Sequence, residues 1–303
     1  MSKINRKQFL ARSIGGVAGI SLLGNKLEYL ASRPDQARII GKTGIRVSPV
    51  CFGAPRTNDE SLIRYALEKG IFFIDTGRSY GNGNNEKLVG RSISGKRDKV
   101  IIQSKIRLEK EEVPSGLKSK KGAAEIKQAL SGKLEASLKA LGTSYIDILL
   151  YHDALDEGLL FHEATVDFFN SMKKNGTIRA HGFSTHNDCM NLLEKNNIED
   201  VYDVIMIPFN HKGAFTHSVS GEHSDWDQKS LLKLLAEAGK KGIGIIAMKT
   251  CSGGPYSPSP DIKPDFPNAV KWVLQHDFIS SAAIAMASFE QVNEYLPIVG
   301  DLS

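Results

Sequence analysis

A carboxylate, a phenol, an ammonium and an imidazole stand at the ends of three successive apolar runs. Asp75 closes the run Ile71 to Ile74, and Tyr80 follows five residues later in a glycine-flanked turn. Lys105 lies near the end of the run Val100 to Ile106, and His152 directly follows Ile146 to Tyr151. A free phenol titrates near pH ~10, so acid–base work by tyrosine at neutral pH needs a charged neighbour. Lys105 and Asp75 are of the types that supply one. Taken singly, each residue has a plainer role: a turn cap, a loop aromatic, a solvated strand end, a core histidine. Their recurrence at the same end of consecutive strands points instead to an active site.

The elements that must position them alternate. Arg38 to Ile40 and Arg46 to Ser48 flank Gly41-Lys42-Thr43-Gly44 and read as a short hairpin. Strands are then expected at Val50 to Gly53, Ile71 to Asp75, Val100 to Lys105, Ile146 to Tyr151, Ile178 to Phe183, Val204 to Pro208, Ile243 to Met248 and Ala282 to Ala287. Amphipathic helical spacing lies between them, as in Asp59 to Leu67, Leu231 to Ala238 and Ala269 to Leu274, and Ser288-Phe289-Glu290-Gln291 has the capping-box layout. Strict alternation implies a parallel sheet with helices outside. Eight such units predict an α/β fold, a (β/α)8 TIM barrel with the hairpin closing its bottom, and catalysis at the C-terminal ends of the strands. No glycine-rich dinucleotide fingerprint follows the first strand, where Gly53-Ala54-Pro55-Arg56 stands, which disfavours a Rossmann domain.

Composition agrees with a globular domain: 41% of the 303 residues are hydrophobic and 24% charged. The net charge of +5 is spread among acidic residues, which argues against nucleic acid as a partner. The densest basic run, Lys118 to Lys121, reads as a solvated loop. Cys51, Cys189 and Cys251 are far apart with no Cys-x-x-Cys pairing, which argues against a disulfide framework or iron–sulfur site. Lys212 to Gln228, with His217, His223 and Asp225, reads as a loop over the catalytic rim. Its spacing is too irregular for a metal site, and none is expected. Residues 1–34 form a separate segment: Asn5-Arg6-Lys7-Gln8-Phe9-Leu10 precedes an apolar run from Ile14 to Leu23, too short and glycine-rich for a membrane span. It reads either as an export signal or as a flexible arm, placing the 35–303 domain in the periplasm or the cytoplasm.

The chain from Arg38 to about Val299 resembles the aldo-keto reductases. Gly41 to Ser48 resembles that family's opening hairpin, and Phe73-Ile74-Asp75-Thr76-Gly77-Arg78-Ser79-Tyr80-Gly81 its aspartate–tyrosine signature, with Gly77 in place of alanine. Gln103-Ser104-Lys105 and Leu150-Tyr151-His152-Asp153 match its lysine and histidine positions. The resemblance implies hydride transfer between a nicotinamide and a small-molecule carbonyl or alcohol. Tyr80 would be the proton donor, Lys105 would lower its pKa, Asp75 would hold Lys105, and His152 would orient the carbonyl oxygen. The N-terminal segment is similar to a twin-arginine signal with Arg-Lys in place of Arg-Arg.

The cofactor contacts implied are Ser184 and Thr185 at the carboxamide, Asn210 and Lys249 in the following strand motifs, and Ser288, Gln291 and Glu294 on the adenosine-binding helix. Several depart from the family pattern. Thr185 replaces asparagine, Met206 replaces glutamine, and Met286 and Gln291 stand where basic residues often clamp a 2′-phosphate. The cofactor is therefore NADP(H) or NAD(H), with the preference open. The chain ends at Ser303, soon after the eighth helix, which implies a more open substrate pocket than in relatives with a long C-terminal loop. The alternative function is a regulatory barrel that holds cofactor with little turnover, as in the family's channel-associated members. Oligomeric state is not legible.

Overall fold

A computed structural model describes residues 37–117, 119–217 and 221–300. Residues 1–34, and with them the export-signal reading, lie outside the described residues. The strands in chain order are β1 (Arg38–Ile39), β2 (Arg46–Val47), β3 (Val50–Gly53), β4 (Phe73–Asp75), β5 (Ile101–Ile106), β6 (Ile146–Tyr151), β7 (Ile178–Ser184), β8 (Val204–Pro208), β9 (Ala214–Thr216), β10 (His223–Asp225), β11 (Gly244–Met248) and β12 (Ile279–Ala285). β3 to β8, β11 and β12 form a closed parallel barrel. Closure is made by β12 on β3, with Ala282 opposite Val50 and Ala285 opposite Gly53.

The helices are α1 (Glu60–Glu68), α2 (Asn84–Ser92), α3 (Lys120–Leu141), α4 (Glu157–Leu160), α5 (Glu163–Lys174), α6 (Cys189–Glu199), α7 (Gln228–Lys240), α8 (Phe266–Leu274) and α9 (Phe289–Val299). Every barrel strand is followed by a helix, as the alternation predicts; β6 is followed by two, the single turn α4 and then α5. Their starts are chemically marked. Asp59 accepts from the Ser61 N–H at 2.8 Å to open α1, and Asp227 does the same for α7 through Lys229 and Ser230. Ser288 accepts from the Gln291 N–H at 3.3 Å, while Gln291 reaches back to the Ala287 N–H at 2.7 Å, one residue earlier than a capping box requires. Ser119 opens α3 by accepting from the Gly122 N–H. Lys120 and Lys121 therefore occupy a first helical turn, not the loop expected from their charge.

Side chains alternate along each strand, so one set fills the barrel and the other meets the helices. The inward set includes Cys51, Phe73, Ile101, Ile148, Leu150, Ala180, Val204, Met206, Ile246 and Met248. Continuing the same alternation carries Asp75, Lys105 and His152 inward at the C-terminal ends. The opposite end is plugged by the hairpin, whose Ile40, Ile45 and Val47 join this interior cluster. The plug docks on the turn before β11, where the Lys42 N–H donates to the Gly242 carbonyl at 2.6 Å. Gly41 is required there: its φ is +44°, and a Cβ would sit 2.2 Å from the Gly242 oxygen. Gly41→Ala should therefore destabilise the barrel by about 1–3 kcal/mol from backbone strain alone, with the clash adding to it. Urea unfolding checks this; an unchanged midpoint would refute the plug's role.

Candidate active site

The site is built on β4 and β5. The Lys105 ammonium, 1% exposed, contacts Asp75 Oδ1, donates to the Thr76 carbonyl at 2.9 Å, and reaches the Tyr80 hydroxyl at 3.3 Å. Gln103, two residues before Lys105 on the same face, donates to the same Asp75 oxygen at 2.7 Å. Beyond β4 the chain stays laced to β5, with the Thr76 N–H on the Gln103 carbonyl and the Arg78 N–H on the Lys105 carbonyl, each at 2.9 Å. This extended ladder lays the Tyr80 turn over Lys105. Gly77 leaves room beneath it: an alanine methyl would lie 3.3 Å from the Tyr80 ring.

Two residues without a role in the sequence reading hold this turn. Arg78 donates to the Asn82 carbonyl at 2.7 Å and the Ala136 carbonyl at 3.0 Å, and pairs with the buried Glu86 at 2.8 Å. Its guanidinium fills the space where a Gly83 Cβ would be, and Gly83 has a φ of +82°. Ser79 lies 3.0 Å from His152 Nδ1. The His152 N–H bonds the Ile106 carbonyl at 2.8 Å, and its ring meets the edge of Tyr80 at 5.5 Å and 90°. The four residues of the expected tetrad are thus brought together.

Lys105 acts on Tyr80 in the expected direction, but the net shift is upward. Burial raises the Tyr80 phenol above its ordinary value; Lys105 opposes this and Asp75 reinforces it. Burial outweighs the lowering by Lys105, which Asp75 in part opposes. Burial also works against the Lys105 ammonium, yet Asp75 and Tyr80 leave its pKa raised. Burial, with Lys105 adding, pushes His152 down to about 3, so the ring is neutral. Beside it Asp153 is held below the usual carboxylate range, chiefly by a hydrogen bond with His186 at 3.2 Å, and it also pairs with Arg107 at 3.2 Å.

The cofactor-contact candidates divide. Ser184 is buried and accepts from the Asp153 N–H at 3.2 Å, leaving its own O–H without an acceptor among the described residues. Thr185 and Asn210 direct their polar groups at the protein itself. The Thr185 hydroxyl is directed at the Ala154 and Asn187 carbonyls. Asn210 bonds the Ala214 and Lys249 carbonyls and the Lys212 N–H. Both are fully buried and brace loops from behind. Met206 lies 3.3 Å from Gln103 Nε2, and Met286 is buried in the core.

Lys249 adopts a left-handed φ of 56° with its ammonium 5.2 Å from the Phe215 ring centre. Burial and then the charge of Arg56 lower its pKa. Arg56 itself makes no ion pair or hydrogen bond among the described residues. Next along the chain, Thr250 Oγ1 is buried without a partner, at the head of a turn ending in Gly253 and Gly254. Two cations lacking a carboxylate and one unpaired hydroxyl on the catalytic rim fit the diphosphate of a dinucleotide. The β9–β10 hairpin, formed from the long polar segment after β8, packs Phe215 near His186 and Lys249. Gln291 and Glu294 are exposed on the first turns of α9.

The sequence model of the aldo/keto reductase family matches residues 53–275. The chain belongs to the aldo/keto reductase family. It is 26% identical over 310 residues to L-galactose dehydrogenase of Arabidopsis thaliana, covering 88% of this chain and 89% of that protein. It is 29% identical over 171 residues to the uncharacterized oxidoreductase YqkF of Bacillus subtilis (strain 168), so it spans about half of that relative, 54%. Its fold is similar to an aldo/keto reductase from Klebsiella pneumoniae in complex with NADP and acetate, with a TM-score of 0.63, 19% identity, and coverage of 88% and 90% of the two chains. Arg56, Thr250, Arg78 and Ser79 escaped the sequence reading, because nothing in their spacing sets them apart from solvated or turn residues.

Two measurements follow from this aldo/keto reductase site. Asp75→Asn leaves a buried ammonium without its counter-charge and should cost about 3–5 kcal/mol in urea unfolding; a loss below 1 kcal/mol, roughly the worth of an exposed pair, would remove Asp75 from this role. The second concerns acid. His152 and His181 resist protonation down to about 3 and about 4, from an ordinary 6.5. Below pH 6.5 the unfolded chain binds the extra protons, so stability falls as pH falls, down to about pH 4. Melting temperatures flat from pH 6.5 to 4 would contradict neutral burial of both rings.

Proposed function

We propose that the protein interconverts a carbonyl (aldehyde, ketone or sugar) and an alcohol using NADP(H) or NAD(H), with Tyr80 as general acid and base. The observation that carries this reading is the 3.3 Å contact from Lys105 to Tyr80, made by an ammonium that Asp75 holds. The bound nicotinamide supplies or accepts the hydride. Tyr80 retains its proton at rest and can give it to an oxygen becoming an alkoxide. Lys105 stays charged and stabilises the phenolate left behind. His152, neutral, can hydrogen-bond the same oxygen. Asp75 acts through Lys105 and touches no substrate. The names of L-galactose dehydrogenase and of the NADP-bound Klebsiella structure support this reading.

In the same proposal Arg56, Lys249 and Thr250 hold the diphosphate and Ser184 the carboxamide. Ser288, Gln291 and Glu294 meet the adenosine end, with Thr185 and Asn210 bracing the loops behind. No Lys or Arg lies between residues 286 and 295. NADH and NADPH should therefore bind within about tenfold of each other, a difference of about 1.4 kcal/mol. One observation favours the second reading, a cofactor-holding barrel with little turnover: Thr185, Asn210 and Met206 offer no free amide to a carboxamide. The N-terminal segment allows the cytoplasm or the periplasm, and a mature chain starting at Met1 or Ser2 would rule out cleaved export.

Tyr80→Phe should lower kcat for carbonyl reduction by ~10²–10⁴ while leaving cofactor affinity nearly unchanged. Turnover at the unsubstituted rate would overturn the role of Tyr80, and cofactor binding without turnover in the native protein would select the second reading. Arg56→Met with Lys249→Met should weaken NADH and NADPH binding alike by at least ~10-fold, read by fluorescence titration, since each charge-assisted contact is worth about 1.5–3 kcal/mol. Unchanged affinity would remove the diphosphate site.

A further inference from the structure

We propose that Ser79 is a positioning residue for His152: its hydroxyl donates to Nδ1 and holds the imidazole as the Nε2–H tautomer, leaving that N–H for the substrate oxygen. The catalytic consequence rests on the function proposed above; the tautomer is a property of the resting protein.

The geometry starts from the 3.0 Å separation of Ser79 Oγ and His152 Nδ1. Ser79 precedes the 3-10 turn Tyr80–Gly83 with φ −71° and ψ −18°, and its hydroxyl makes no capping bond. The hydroxyl is thus free to serve the ring. His152 is buried and neutral, so one ring nitrogen carries the proton and the other a lone pair. Which nitrogen carries it is set by the partner of the other.

Two arrangements satisfy the 3.0 Å contact. In one, Nδ1–H donates to Ser79, and Nε2 offers a lone pair to a carbonyl oxygen, which is also an acceptor. In the other, the Ser79 O–H donates to Nδ1, and Nε2–H donates to the carbonyl oxygen. Only the second puts a donor opposite the oxygen on which negative charge develops. A hydroxyl rotates to suit either partner, whereas a carboxylate or carbonyl at this position would impose the wrong tautomer. Ser79 immediately precedes Tyr80 on a turn clamped by Arg78. The proton donor and the residue that orients the second hydrogen bond therefore move as one unit.

The test is ¹⁵N spectroscopy of protein labelled at its 8 histidines, with His152 assigned by its loss in His152→Asn. The native protein should show an unprotonated Nδ1 and a protonated Nε2 at His152. Ser79→Ala should give a tautomer mixture and a kcat about 3–10-fold lower with unchanged cofactor affinity, and Ser79→Thr should restore both. A native Nδ1–H tautomer, or a Ser79→Ala protein with the native spectrum, would overturn the proposal. Should the native protein show no turnover, the function proposed above fails, and the spectra still decide the tautomer.

Discussion

The interior of this barrel is organised by the need to bury one ammonium. A lysine 1% exposed is tolerated only when paired, because removing its charge from water costs several kcal/mol. Lys105 meets that requirement with a carboxylate, a carbonyl and a phenol, and each partner constrains the chain. Asp75 must end β4 pointing inward, so β4 must keep its register with β5, Asp75 opposite Gln103. The Thr76 carbonyl must turn toward Nζ, which the continued ladder along β5 accomplishes. Tyr80 then has to return over the ammonium within four residues of Thr76, in a turn closed by the Tyr80 N–H on the Gly77 carbonyl at 3.0 Å.

Polarity is graded along the barrel axis as a result. The hairpin end holds Ile40, Ile45 and Val47, and the catalytic end holds the ion pair, the phenol and the imidazole. Between them Gln103 spans the change. It donates to Asp75 and to the Met206 sulfur, while its Oε1 is buried without a partner. An amide that serves both a carboxylate and a thioether sits where the interior passes from charged to apolar. Met206, which takes the place of a family glutamine, is the soft acceptor on that boundary.

Asp75, Lys105 and His152 were legible because each stands at the end of an apolar run, and the hairpin because Gly41 to Gly44 reads as a turn; period-two alternation then sets the barrel direction. Lys105 follows Gln103 by two and Ile101 by four, so knowing one places the others. Boundaries were less legible where polar residues are buried. β12 begins three residues before the apolar run at Ala282, because Ser281 satisfies its hydroxyl on the Ser48 and Pro49 carbonyls. Thr185 and Asn210 show the same ambiguity: a hydroxyl or amide at a strand end looks alike in sequence whether it faces a ligand or braces a loop. Arg56 escaped for the reverse reason, since what singles it out is the carboxylate it lacks, and that requires neighbours in space.

The pKa of Tyr80 shows how such a site differs from a simple pairing of phenol and cation. A lone ammonium beside a phenol would favour phenolate. Here the ammonium arrives with its own carboxylate, which opposes part of its effect on the phenol, and burial, the largest influence, decides the sign. Asp75 is needed to keep Lys105 folded into the barrel, and by the same contact it weakens the pull of Lys105 on the phenolic proton. The compromise leaves Tyr80 protonated and Lys105 charged. In the function proposed above, that is the state from which Tyr80 protonates an alkoxide and Lys105 stabilises the resulting phenolate. The opposite direction must first ionise a phenol that burial keeps neutral.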